Sequence, residues 1–482
     1  MTSHALLPRW LPVFYLLGLF ILAIACSFNG LYGQDAHEYL RQSRVIFDRW
    51  QGLPVPPLTP GDTQFAGGYP LLGAILHFLT GDSIIALQLV SWMSAAGGLW
   101  VFERLLALLA PGARVESRWV YAGLGLAMSS MFVRAGLTSM SDSLGLLLAL
   151  ASFFFGLRVF ENSRNNDAIW AAAFAALAFS TRYALAALLI PSGVALLYTL
   201  AERRKWGSLL GAGLVFCLAL LPHFWLKTAG AENPLGHSTL GYWSVANFFK
   251  SSFTNVEGGL SKYVFPNLLF VLFPLFHPAF CLLLPGLCLL FKKTDLVLSS
   301  KKILLANLIT YLVLLGGIPH QNLRYLLPAY ALLLLLLFPA WDRFYCYGFL
   351  FFRRLTTGIL VAVVACQLFF CAKYLAPTLS RNRLEQTVAN ELKSVLPANA
   401  TVYAFDLDIA LRSYLPNVLF QNLWERRYTT FPAGSFVLFN EALRPQWQGQ
   451  NPILNWDQIR ENYTLEQRAA LPNGWYLWEI VE

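Results

Sequence analysis

Charged residues are scarce in this chain. Asp, Glu, Lys and Arg make up 13% of its 482 residues while hydrophobic types make up 57%, whereas a soluble globular chain carries about a quarter charged residues. With a mean hydropathy of +0.52, a soluble protein built around one core is excluded. Cysteine is missing from the last hundred residues: Cys26, Cys217, Cys281, Cys288, Cys346, Cys366 and Cys371 all precede residue 372. No disulfide framework holds the tail together, and no CxxC spacing marks a zinc site. The tail also lacks a GxGxxG or P-loop, which leaves a nucleotide site there without support. No internal repeat of fixed period is present.

Long apolar runs recur from Leu11 to Cys371, many of them near the ~20 residues that cross a hydrocarbon core. Beyond Lys373 ordinary polarity returns. Residues 373–482 hold 10 basic and 11 acidic side chains, leaving 25 against 15 for the preceding 372 residues. A basic apolar portion with a near-neutral tail carries topology signals rather than a nucleic-acid surface. The 15% aromatic content suits interfacial belts. The run Leu11–Ala25 before Cys26 looks like a signal peptide but is expected to remain as the first helix.

Eleven spans are expected, near 11–28, 83–103, 119–134, 142–159, 168–180, 183–200, 208–226, 267–291, 303–318, 325–341 and 355–372. The short apolar segment 67–80 is expected to be re-entrant or juxtamembrane. Parity then puts sixteen of the 25 basic residues inside, from Arg9 through Arg203-Arg204-Lys205 and Lys292-Lys293 to Arg353-Arg354, as the positive-inside rule asks. Outside lie the loops 29–82 and 227–266 and the tail. In the first loop Tyr39, Leu40, Ser43, Ile46, Phe47 and Trp50 share one helical face, a pattern expected to lie in the interface plane until Pro54-Val55-Pro56-Pro57 breaks it. The tail reads as a small α/β unit: a helix 384–396, strands at 401–405, 435–439 and 475–480, and a short helix 409–415.

Ionisable residues gather at span ends on the outer side. Asp35, in Gln34-Asp35-Ala36-His37-Glu38-Tyr39-Leu40, follows the first span, where a lipid-linked substrate would present its head group. Asp35 and Glu38 equally fit a helix N-cap and its capping-box partner. Asp142 opens the fourth span and is a catalytic acid or another N-cap. Arg134, Arg182 and Arg324 are outside arginines, against the positive-inside bias. Phosphate binding by the guanidinium fork explains them; so does snorkelling.

In chain order, Asp35-Ala36-His37-Glu38-Tyr39-Leu40, Gly68-Tyr69-Pro70-Leu71-Leu72, Ser141-Asp142-Ser143-Leu144, Thr181-Arg182-Tyr183 and Arg324-Tyr325-Leu326-Leu327-Pro328 resemble the GT-C glycosyltransferases of the protein O-mannosyltransferase and aminoarabinose-transferase type. The tail ending in Trp475-Tyr476-Leu477-Trp478-Glu479-Ile480 is similar to tails of bacterial members. The resemblance implies an all-α polytopic membrane protein of the GT-C type with about 11–13 transmembrane helices and a small C-terminal α/β extracytoplasmic domain. Residues 1–372 would be the catalytic membrane domain, with 29–82 its catalytic loop, and 373–482 the soluble domain. It further implies an inverting transferase in a bacterial inner membrane, using a polyprenyl-phosphate-linked sugar and a lipid, glycan or protein acceptor. Asp35 and Asp142 would be catalytic. Glu38, His37, Tyr69, Arg182, Tyr183, His320, Arg324 and Tyr325 would bind substrate. No cofactor is called for with certainty, and a divalent metal is compatible with the family. Two departures stand out. Ala36 occupies the place of a second acid, and Thr63–Gly68 has no lysine before Pro70, which moves phosphate binding to Arg182 and Arg324.

The chemistry suits transfer. A lipid phosphate leaves without protonation, so one carboxylate to deprotonate the acceptor and one or two cations for the phosphate suffice, where glycoside hydrolysis uses two carboxylates. The alternatives are a transporter or flippase, which would place ionisable groups at mid-membrane on broken, repeated helices, and a non-catalytic assembly protein.

Overall fold

The computed structural model describes residues 10–54, 65–228, 241–254 and 260–482. Arg9, the proline break at 55–57, Thr63-Gln64 and part of the loop 227–266 lie outside them. Chain contacts divide the protein into two units, one holding the described residues of 1–30, 42–253 and 262–376, the other those of 31–41, 254–261 and 377–482.

The membrane unit is helical. Its elements are α1 (Leu11–Ala25), most of α2 (Gly33–Trp50), α3 (Gly68–Thr80), α4 (Ser83–Leu109), α5 (Val115–Tyr121), α6 (Ser130–Leu137), α7 (Ser141–Asn162), α8 (Asp167–Thr181), α9 (Leu185–Glu202) and α10 (Trp206–Thr228). Two three-residue strands, β1 (Ser252–Thr254) and β2 (Leu260–Lys262), follow. Then come α11 (Asn267–Phe270), α12 (Phe273–Phe276), α13 (Leu284–Leu290), α14 (Ser299–Gly317), α15 (Leu327–Phe351) and α16 (Arg353–Val395), which continues into the second unit. Seven described helices are long and apolar enough to span a membrane, or eight if the bent pair Val115–Ala127 and Ser130–Leu137 is one span. The chain is an integral membrane protein.

Two of the expected spans are not straight helices. The run 119–134 bends by 73° where the π-helical segment Ala122–Ala127 ends and Ser129 turns to extended backbone before α6. Residues 267–291 break into α11, α12 and α13, with Pro274 and Pro285 opening two of them, since proline cannot donate within a helix. Non-helical backbone at membrane depth is tolerated only where protein satisfies it, and here it does. The Ala279 carbonyl accepts from the Met131 amide at 3.2 Å and the Ser130 hydroxyl at 2.8 Å, and the Phe280 carbonyl from Gln367 Nε2 at 2.8 Å. The expected spans at 11–28 and 168–180 are helices of only 15 residues, about 22 Å long against a core of ~30 Å.

Much of the amphipathic face of α2 packs against protein. Tyr39, Leu40, Ser43 and Ile46 are buried, Phe47 stacks on His77 with ring centroids 3.8 Å apart, and Trp50 stacks on Phe78. A left-handed Gly81 ends α3 and Asp82 caps α4 by accepting from the Ile84 and Ile85 amides, so two helices turn sharply without stranded backbone groups.

The second unit carries a five-stranded sheet of order β4-β3-β5-β7-β6, with β3 (Thr401–Ala404), β4 (Leu419–Asn422), β5 (Phe436–Asn440), β6 (Leu465–Leu471) and β7 (Trp475–Ile480). The β3 strand lies parallel to both β4 and β5, and β7 runs antiparallel to β5 and β6. Side chains alternate between faces. Val402 and Ala404 join Leu392 of α16 and Leu411 of α17 (Asp408–Tyr414) in one core; Tyr403 and Phe405 join Trp456 and Ile459 of α18 (Asn451–Asn462) in the other. Covered on both faces, β5 is buried throughout, as a near-continuous apolar run requires.

Candidate functional site

In the membrane unit Asp142, Arg182, Arg324 and Tyr325 come together. Asp142 is not the N-cap of α7: Met140 holds that place, and Asp142 sits inside the first turn, 4% exposed. Arg182 follows the last residue of α8 in extended backbone, which frees its side chain to turn, and its Nη1 donates to Asp142 Oδ1. Gly145 leaves room for this arm, since a Cβ there would meet Arg182 Cδ at 3.3 Å and the Leu185 side chain closer still. The Arg182 guanidinium also lies over the Tyr325 ring at 5.1 Å, and that of Arg324 at 5.3 Å from the same centroid, both within cation–π range. Two cations thus flank one aromatic ring.

A short turn sets this geometry. Asn322 precedes the 3-10 turn Leu323–Leu326 and accepts from the Arg324 amide at 3.3 Å, while Tyr311 of α14 donates to the Tyr325 carbonyl at 2.8 Å. Arg324 Nη1 reaches Met140 Sδ at 3.0 Å, beside the start of α7. His320 bonds Tyr263 through Nδ1 at 3.1 Å, its ring 5.8 Å from Tyr325. The Asp142 carboxylate thus holds one nitrogen of the Arg182 guanidinium, a group with five N–H donors.

The other expected residues fall elsewhere. Tyr69 is fully buried, its hydroxyl donating to the Leu87 carbonyl and bonded to Ser91, each at 2.8 Å, which braces α3 on α4. Tyr183 is buried beside Phe179 and His223.

In the second unit Asp35, His37 and Glu38 share the first turns of α2. The helix begins at Gly33, so Asp35 is its third residue and not its N-cap, and Glu38 is paired with Arg41 at 2.8 Å instead of closing a capping box. An acid in the first turn still gains from the helix dipole. His37 is 2% exposed and its Nε2 lies 3.3 Å from Glu385 Oε2. Glu385 accepts from Arg381 Nε at 2.7 Å, and Arg381 Nη1 donates to Asp406 at 2.7 Å. Residues 348 positions apart in sequence form this relay, and no local signal announces Glu385 or Arg381. Among the described residues no group of three or more His, Cys, Asp or Glu side chains gathers as a metal would need.

No protein-family model matches the chain, and no curated protein sequence matches it. Solved structures do. ArnT from Cupriavidus metallidurans bound to undecaprenyl phosphate is 13% identical with a TM-score of 0.62, covering 98% of both chains. The same protein in the apo state is 14% identical with a TM-score of 0.60, covering 97% of this chain and 98% of that one. The arabinofuranosyltransferase AftD from mycobacteria is 16% identical with a TM-score of 0.50, over 98% of this chain and 40% of its own. The chain therefore shares the fold of these structures, with a polytopic helical membrane portion and a small C-terminal domain.

Proposed function

We propose that the protein is an inverting glycosyltransferase that moves a sugar from a polyprenyl-phosphate donor to an acceptor hydroxyl at the extracytoplasmic membrane face. The observation that carries this reading is the pair of arginines on Tyr325, one of them fixed by a buried carboxylate, in a chain whose fold is shared over its whole length by a protein solved with undecaprenyl phosphate. Arg182 and Arg324 take the donor phosphate in charge-assisted hydrogen bonds. The bond from the anomeric carbon to the phosphate oxygen breaks, the electron pair leaves with the phosphate, and the arginines stabilise the charge that grows there. Asp142 positions Arg182 and does no proton transfer.

Asp35 is the base. It accepts the acceptor hydroxyl's proton as that oxygen bonds the anomeric carbon from the opposite face, which inverts the configuration. This assignment rests on the chemistry of a carboxylate and on the place of Asp35 directly after the first helix. His320 and Tyr325 line the donor side. The acceptor is a lipid, a glycan or a protein. Purified protein in nanodiscs is to be incubated with a panel of polyprenyl-phosphate sugars, with water and candidate acceptors present. Consumption of one donor with release of polyprenyl phosphate and an inverted product is the expected result; a panel left wholly intact alongside lipid transport across the bilayer would overturn the reading.

A further inference from the structure

Away from the arginine cluster, the membrane unit holds a groove of about 470 Å³ between α13, the C-terminal half of α15 and the first turns of α16. Its walls are apolar, with Leu289, Tyr347, Phe352 and Leu355 among them, and two basic residues, Lys292 and Arg343, stand in the lining. That volume falls in the usual range of small-molecule sites, roughly 300–1,000 Å³. The walls are built to hold shape. Arg343 grips Asp295 bidentately at 2.7 and 2.8 Å and the Leu290 carbonyl at 2.6 Å, and Asp295 also accepts from the Lys292 amide at 2.9 Å. Where α15 meets α16, a Cβ on Gly348 would lie 2.5 Å from Thr356 Oγ1, so only glycine lets these two helices approach as they do.

The charge around this groove is unbalanced. Segments 289–302 and 342–359 carry seven basic residues and two acidic ones. Of the two acids, Asp342 is turned away to Ser117 at 2.8 Å, and Asp295 alone faces both Arg343 and the charge of buried Lys301. Two cations share one carboxylate, and Lys292, Lys293, Arg353 and Arg354 are exposed beside them. An excess of positive charge on an apolar rim favours an anion beside it. A slot with apolar walls and a basic rim, on a helix bundle in a bilayer, matches an acyl chain below an anionic head group.

We propose that this groove is a binding site for an anionic phospholipid, one acyl chain lying along Leu289, Tyr347 and Leu355 and the phosphate on Lys292 and the Arg343 side of the rim. The site is separate from the donor site proposed above, and it stands whether or not the chain transfers sugars.

The test uses the full chain purified in detergent, freed of lipid, and titrated with phosphatidylglycerol, phosphatidylcholine or undecaprenyl phosphate, with bound lipid counted by native mass spectrometry. Phosphatidylglycerol is expected to bind with preference over phosphatidylcholine of the same chains, and Lys292→Glu to weaken it about tenfold, the size set by turning a basic rim residue against an anionic head group. Leu355→Trp, at a 63% exposed position where the larger ring fills the slot without burying a charge, is expected to lower binding of either phospholipid there. Equal retention of the two phospholipids by the wild type, or unchanged phosphatidylglycerol binding in both variants, would overturn the proposal. So would displacement of phosphatidylglycerol by undecaprenyl phosphate that Arg324→Ala abolishes, because the lipid would then be occupying the arginine cluster.

Discussion

A carboxylate that is 4% exposed and bonded to a guanidinium is a poor proton acceptor for a sugar hydroxyl, because protonating it would strand the Arg182 charge in a dry site. The proposed function accordingly takes Asp142 as a positioning residue and Asp35 as the base. Asp35→Asn keeps the size and polarity of the side chain in the first turn of α2, so folding and donor binding should persist while turnover falls by about 10²–10⁴, the usual share of general-base catalysis. Wild-type turnover in a well-expressed Asp35→Asn protein would remove Asp35 from the mechanism. Asp142→Ala should instead destabilise the membrane unit by ~3–5 kcal/mol by leaving Arg182 unpaired, and Asp142→Ala with Arg182→Met should recover much of that loss. Thermal unfolding of the two single variants and the double variant measures the coupling; simply additive losses would mean that the pair holds nothing.

At the scale of elements, what the sequence made legible and what it hid divide along a physical line. Apolar runs such as 142–159 and 208–226 announce α7 and α10 because their own hydropathy suffices. The break of 267–291 does not show in hydropathy: Pro274 and Pro285 stand in an apolar run, and the bonds from Ser130 and Gln367 that satisfy the Ala279 and Phe280 carbonyls come from distant helices. The Asp142–Arg182 and His37–Glu385 pairs are hidden for the same reason, though the residue types at Asp35, Arg182 and Arg324 were readable as span-end exceptions to charge bias. The capping readings failed by two residues of helix register at Asp142 and three at Asp35. In the tail β6 was missed because LEQRAAL is an edge strand with mostly exposed side chains, held by Arg468 to Glu466 and Glu479. One element makes a pH-dependent prediction. Asp408 opens α17, 2% exposed, with Arg412 at 3.6 Å and no hydrogen bond to Oδ2. Burial pushes its carboxyl up to about 6, against about 3.9 in an unfolded chain. The folded state therefore binds this proton more tightly, so the contribution is full below pH 4 and is lost as pH rises through 6, a difference of ~3 kcal/mol. Asp408→Asn should raise the melting temperature at pH 8 and flatten its dependence on pH between 4 and 7; a variant as pH-sensitive as wild type would assign the slope to another group.

For the whole molecule, the likeness to ArnT over 98% of both chains at 13% identity says that the same fold is reached with mostly different side chains. The claim on which the functional account turns is that Arg182 and Arg324 hold a lipid phosphate. Steady-state kinetics on the donor that the panel identifies, with purified Arg324→Lys, Arg324→Ala and Arg182→Ala in nanodiscs, measure it most directly. Lysine keeps the charge but loses the planar fork, so Arg324→Lys should cost modestly and Arg324→Ala severely. Because charge on the phosphate grows during transfer, kcat should fall along with kcat/KM in both alanine variants. Wild-type kcat and KM in both would contradict the account, leaving these arginines a structural part only.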